Sequence, residues 1–290
     1  MKWLIVGAEG QLGRAMQAEL IGAGIELVAL NRAQLDITNE SDIVRILEQV
    51  HPNVVLNAAA WTRVDEAEDA ELEARMVNSI GPALLANACS FVDSKFVHIS
   101  TDYVFSGISS TPFGEAERLD PQSAYGRTKA EGERSVWELY PRGSFIVRTA
   151  WLYSPWGRNF VKTMVRLALS GSKVVEVVDD QIGQPTSASD LAKQIHELIK
   201  GDVAPGTFHG TNSGQASWFD FAREIFDSTG VDPDRVIPVN SSDYLRPAKR
   251  PVFSVLGHDE WGRIGMQPMR DWREALQEAL PSIISSVSME

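Results

Sequence analysis

Apolar residues in the first half of this chain fall into short runs, separated by stretches with helical spacing. Lys2 to Val6 is nearly all apolar, which predicts a short strand buried on both faces. Leu12, Met16 and Leu20 then recur on one face of a helix. Ile25 to Leu30, Asn53 to Leu56, Lys95 to Ile99 and Ser144 to Arg148 repeat the strand pattern. Between them lie a helix capped near Thr38 or Asn39, a buried helix from Arg75 to Phe91, and a helix carrying Tyr125 and Lys129. Strands alternating with helices predict an α/β fold with a doubly wound parallel sheet, Rossmann-like, whose ligands sit at the strands' carboxyl ends. Beyond residue 150 the pattern thins and aromatics gather: Trp151, Tyr153, Trp156, Trp218 and Trp261. A helix to about Lys200 and a short strand near Thr207 to Gly210 are the regular elements expected there. The expected division is a sheet domain over 1–150 and a smaller lobe over 151–290, some of whose segments return to the core, with a ligand cleft between them.

Composition narrows the class. A chain of 290 residues has room for about two domains, or one large α/β domain with an appendage. Its 43% hydrophobic and 23% charged residues are ordinary for a globular protein. The formal charge of −12 argues against nucleic acid or an anionic membrane as the main partner. Cys89 is the single cysteine, which excludes an internal disulfide, fits a cytoplasmic setting and reads as a small buried residue. No targeting segment and no apolar run of about 20 residues is visible. Glu66, Glu68, Asp69, Glu71 and Glu73 read as a solvated helix face, with no metal site.

Candidate chemistry enters with the turn after the first strand. Gly7, Gly10 and Gly13 stand in a Gly-x-x-Gly-x-x-Gly spacing between strand and helix. Glycine serves where backbone turns tightly or approaches a ligand, and the helix N-terminus that follows attracts an anion. This is a dinucleotide signal, although a purely structural turn has the same look. At the end of the second strand, where NAD-selective proteins carry an acidic residue, stand Asn31 and Arg32. Arg32 can meet a 2′-phosphate, which favours NADPH and leaves NADH as a second cofactor; it is equally compatible with a solvated surface. After the third strand, Asn57-Ala58-Ala59-Ala60 leaves room for a ligand. Ser100 and Thr101 leave the fourth strand with hydroxyls that can bond a carbonyl, or merely their own backbone. Tyr125 and Lys129 lie four apart, on one helix face. A cation beside a phenol lowers its pKa and readies it as a general acid or base. Alone, Tyr-x-x-x-Lys is common by accident.

Taken together, these motifs resemble the extended short-chain dehydrogenase/reductases, and among them the enzymes that reduce nucleotide-linked 4-keto-6-deoxy sugars. The likeness spans nearly the whole chain. It includes 31–38, 57–60, 98–105, 125–129, 148–151, 157–160, 179–187 and the basic run 246–251. The resemblance implies a catalytic set of Thr101 (or Ser100), Tyr125 and Lys129. It implies Gly10, Gln11 and Leu12 along the cofactor pyrophosphate, and Asp36 and Ile37 at the adenine. Ala59, Ala60 and Thr62 fall in the cofactor set, toward the nicotinamide half, whose ribose Lys129 would hold while lowering the Tyr125 pKa. Thr101, Asp102, Tyr103, Trp151 and Asn159 fall in the substrate set, and Arg250 is a partner for the nucleotide's pyrophosphate. The implied substrate is a dTDP-linked sugar and the implied assembly a monomer or homodimer. Some relatives place a metal-holding Glu two residues past the third loop glycine; Ala15 stands there, so no metal is implied. An epimerase or dehydratase shares the fold, but Tyr103 follows Asp102 where dehydratases carry an acidic pair. A non-catalytic regulatory subunit, like that of methionine adenosyltransferase, is opposed by the intact Thr101, Tyr125 and Lys129.

Overall fold

The computed structural model describes residues 1–171 and 173–289; Ser172 and Glu290, both inside the expected second lobe, lie outside the described residues. Six parallel strands make the central sheet. They are β1 (Lys2–Val6), β2 (Glu26–Leu30), β3 (Val54–Asn57), β4 (Lys95–Thr101), β5 (Ser144–Thr149) and β6 (Thr207–His209), in the spatial order β6-β5-β4-β3-β1-β2. The strand order reverses between β1 and β3, so the loops leaving those two strands diverge and open a crevice at the carboxyl edge. β4 runs two residues further than its apolar pattern because Ser100 and Thr101 pair with Arg148 and Thr149.

Alternation along β1 divides the core. Trp3 and Ile5 face α1 (Gln11–Gly22), while Leu4 and Val6 face α2 (Glu40–Val50) and α3 (Gly81–Val92). All four are buried, and each such side chain stabilises by about 1.5–3 kcal/mol. Two segments beyond residue 150 belong to this domain. α5 (Ala188–Lys200) packs beside α1 through Leu191 and Ile195, and β6 pairs with β5 to close the sheet edge. Phe208 of β6 stacks on Phe145, which explains why so short a strand is held.

The buried stretch expected as one helix from Arg75 is two. Met76–Ile80 forms a π-turn before α3. Pro82 has no N–H to return to the Asn78 carbonyl, so the regular ladder cannot pass that point. The helix that matters most, α4 (Ala124–Leu139), packs on the π-turn so closely that a Cβ at Gly132 would lie 2.1 Å from the Asn78 oxygen. The acidic stretch before it is not simply solvated. Glu68 accepts from the Ala124 N–H at 2.9 Å, and Glu71 pairs with Arg127, so both hold the start of α4. Ser123 completes that cap.

A separate core gathers beyond residue 150. Phe221, Ile225 and Phe226 of a helix over Trp218–Ser228 meet Val161 and Val165 of the Phe160–Leu169 helix, and Trp272 and Leu276 of the C-terminal Trp272–Ser288 helix. Cys89 is buried and its thiol is pushed up by burial, as suits an inert side chain.

Candidate active site

Gly7 begins the crevice. It takes φ +79°, and a Cβ there would lie 2.6 Å from the Ala59 nitrogen. Gly13 is as constrained, with 2.3 Å to the Gly7 oxygen. No side chain caps the start of α1, so its first N–H groups are free for an anion. Beside it lies a cleft of about 270 Å³, lined by Gly7, Gly10, Asn31, Arg32, Asp36, Ile37, Ala58, Ala59, Ala60, Trp61 and Arg63. These are the properties a dinucleotide needs: bare backbone, free donors and a pocket at the strand ends. Thr62 is exposed and stands outside that lining, and the Leu12 side chain is buried in the core, leaving only its backbone for a ligand. Asp36 accepts from the Thr38 N–H and hydroxyl, which hold its carboxyl below the usual range, with Arg32 adding to the effect.

The Gln11 side chain is held by residues beyond 150. Its Nε2 donates to the Leu152 carbonyl, and its Oε1 accepts from Ser154 Oγ and Asn159 Nδ2, both at 3.0 Å. Asn159 also caps the Phe160–Leu169 helix by accepting from the Lys162 N–H. Its polar atoms therefore join the glycine loop to the residues beyond 150.

The reactive groups gather where β4 ends. Thr101 Oγ1 donates to Asp102 Oδ1 at 2.9 Å and accepts from the Tyr103 N–H. Thr101 is the hydroxyl that faces Tyr125; Ser100 is buried without a partner. Tyr103 and Tyr125 meet edge to face, 5.5 Å apart. Burial pushes the Tyr125 phenol up to about 12, against the Thr101 hydroxyl and with a smaller push from Asp102. Burial likewise raises Asp102 to about 6, opposed by the Ser254 and Thr101 hydroxyls.

The expectation that Lys129 lowers the Tyr125 pKa is corrected. Lys129 Nζ donates to the Ile99 carbonyl at 2.6 Å and lies 3.3 Å from His98 Nε2. Helical spacing places both residues on one face, but α4 packs on β4, and the long lysine stem runs down to the strand instead of along the helix. Burial lowers Lys129 to about 8, against the charge of Glu133.

Arg250 stands 6.0 Å over the Tyr103 ring and pairs with Asp65 at 2.8 Å, so its expected phosphate-binding fork faces a carboxylate here. Trp151 leaves β5 with φ +46° and stacks flat on Trp218, with ring centres 3.6 Å apart. Gly183 packs so tightly on the indole's nitrogen edge that no Cβ would fit. Trp151 is thus built into the lobe, and only what remains exposed can meet a substrate.

Sequence reasoning missed Glu9, whose carboxylate accepts from Asn31 Nδ2 at 2.9 Å, and Trp61 with Arg63 stacked 4.0 Å above it. It also missed Asp65, Trp218 and the His98–Asn57 pair beneath Lys129. Trp61 and Arg63 had a local signal, directly following the Ala run; the others meet their partners only through folding. Among the described residues, no cluster of His, Cys, Asp and Glu is placed to hold a metal ion.

A parallel sheet with a glycine loop at its switch point, and a Thr–Tyr–Lys set beside a second lobe, defines a dinucleotide-dependent oxidoreductase of the extended short-chain class. The model of the RmlD substrate binding domain family matches residues 1–284, and the chain belongs to that family. It is 46% identical over 280 residues to a dTDP-4-keto-6-deoxy-D-glucose reductase of Streptomyces niveus, covering 97% of this chain and 96% of that one. A solved dTDP-4-dehydrorhamnose reductase of Clostridium acetobutylicum superposes with a TM-score of 0.92 at 45% identity, covering 97% and 99% of the two chains. One from Bacillus anthracis, solved in complex with NADP, gives 0.93 at 38% identity, covering 97% and 98%.

Proposed function

We propose that this chain reduces the C4 ketone of dTDP-4-dehydrorhamnose to dTDP-L-rhamnose with NADPH, a step in making nucleotide sugars for surface polysaccharide. The observation that carries the reading is the Thr101–Tyr125 pair at the carboxyl edge of β4, on a chain whose glycine-loop cleft fits a dinucleotide. NADPH, when bound, supplies the hydride. The chain's own residues do the rest. Gly10 and the start of α1 receive the pyrophosphate. Asn31 and Arg32 face the 2′-phosphate, and Asp36 and Ile37 the adenine. Lys129 holds the nicotinamide ribose. Thr101 bonds the C4 oxygen, and Tyr125 gives it a proton. A phenol near 12 keeps its proton at neutral pH, yet is a stronger acid than the alcohol being formed, so donation runs downhill. Arg250, released from Asp65, meets the nucleotide's phosphates.

A second substrate is favoured by the similarity to the Streptomyces niveus protein: a dTDP-4-keto-6-deoxy sugar of another configuration. Incubation with NADPH and a panel of dTDP-linked 4-keto-6-deoxy sugars, with products identified by NMR, separates the two. The main reading expects dTDP-L-rhamnose as the product formed fastest. Faster turnover of another sugar would move the assignment to it, and no NADPH oxidation with any sugar would remove both.

A further inference from the structure

Beneath Lys129 lies a buried polar chain whose direction can be read. It begins at the Ala59 backbone N–H, which only donates, and which gives its hydrogen to Asn57 Oδ1 at 3.1 Å. That bond orients the amide, leaving Asn57 Nδ2 facing His98 Nδ1 at 3.2 Å. An amide nitrogen also only donates, so His98 Nδ1 accepts, and a neutral imidazole accepting at Nδ1 carries its proton on Nε2. Nε2 faces Lys129 Nζ at 3.3 Å. The imidazolium form would set donor against donor at both ends, and burial together with Lys129 keeps the ring well below its ordinary pKa. Asn57, His98 and Lys129 are all buried, so water does not relieve the conflict.

We propose that Asn57 and His98 are positioning residues for Lys129: they fix the Nε2–H tautomer of His98 and so present Lys129 with a donor where an ammonium needs an acceptor. Reversing the chain would turn the Asn57 amide and set its NH₂ against the Ala59 N–H. The chain ends on a backbone amide, which releases no proton at working pH, so it tunes the charge of Lys129 and conducts nothing. Other groups around Lys129 are few. Glu133, on its own helix, favours the ammonium but is engaged by Arg148 of β5 at 2.7 Å. Tyr125 lies one turn earlier, and Asp102, after β4, acts on Tyr125. The π-turn brings the neutral Asn78, which donates to Thr128. Lys129 is ammonium below about 8 and amine above, so activity that needs the charge falls as pH rises through that value.

Two measurements test this. Long-range ¹H–¹⁵N correlation of the histidine rings in the full-length protein, with His98 assigned by its loss in His98→Gln, should show the neutral Nε2–H tautomer. An Nδ1–H tautomer or an imidazolium at neutral pH overturns the proposal. This reading needs no substrate, so it stands or falls separately from the proposed reaction. The second arm rests on that reaction. In Asn57→Asp a carboxylate accepts from both Ala59 N–H and His98 Nδ1–H, so Nε2 becomes an acceptor for the ammonium. The alkaline limb of kcat/KM should move up by about one pH unit or more. A folded variant with an unmoved limb overturns the proposal, and if the variant does not fold, the wild-type ring spectrum decides alone.

Discussion

At the scale of single residues, the proposed reaction rests on a phenol that keeps its proton. Tyr125→Phe removes the donor but leaves the edge-to-face contact with Tyr103. The rate constant should fall by about 10²–10⁴-fold with the melting temperature nearly unchanged; turnover within a few-fold of wild type would show that another group is the acid. Cofactor choice is also a residue-scale matter. On the proposed reading Arg32 attracts the 2′-phosphate, and the Glu9 carboxylate, tied to Asn31, opposes it. The NADPH advantage should therefore be modest, about 1–2 kcal/mol at most from Arg32. Glu9→Gln should widen it by tightening NADPH alone, and Arg32→Ala should narrow it, both read as dissociation constants for NADPH and NADH. An equal change for both cofactors in Glu9→Gln would show that Glu9 only shapes the loop.

Among the elements, α4 deserves its position to a missing side chain. Alanine is the better helix former by about 1 kcal/mol. At Gly132 it should nonetheless destabilise, because its Cβ would meet the Asn78 carbonyl at 2.1 Å and push α4 from the π-turn. Overpacking of this kind costs about 1–3 kcal/mol. A urea midpoint equal to or above wild type for Gly132→Ala would mean the helix can shift freely. Such a shift would also displace Tyr125 and Lys129, so kcat should fall with stability.

Over the whole molecule, Gln11 ties the glycine loop to Ser154 and Asn159, while the Trp151–Trp218 stack packs against the core formed beyond residue 150. The left-handed backbone at Trp151 costs about 1–2 kcal/mol, which the stack and the Gly183 contact offset. Trp151→Ala should lower stability by about 2–4 kcal/mol, less than for a fully buried tryptophan. If its exposed part also lines the sugar pocket, KM for the sugar nucleotide rises in the surviving protein while NADPH affinity holds. Lost stability with an unchanged KM would confine Trp151 to a packing role.

What the sequence determined by itself is what short-range physics controls. Apolar runs placed the first five strands, because a strand packed against helices needs them, and even the half-buried edge strand β2 carries one. Glycine spacing marked the loop, because no other residue fits at Gly7 and Gly13. A helical period put Tyr125 and Lys129 on one face. Which partner each side chain meets lay beyond that reach. Lys129 turns to Ile99 and His98 because α4 lies on β4. Glu9 meets Asn31, and Asp65 meets Arg250, across long stretches of chain. Thr207–His209 joins the sheet because β5 offers an unpaired edge and Phe145 a ring to stack on. Local spacing decides which face a residue occupies, whereas the packing of one element on another decides what stands opposite, and only tertiary structure carries that choice.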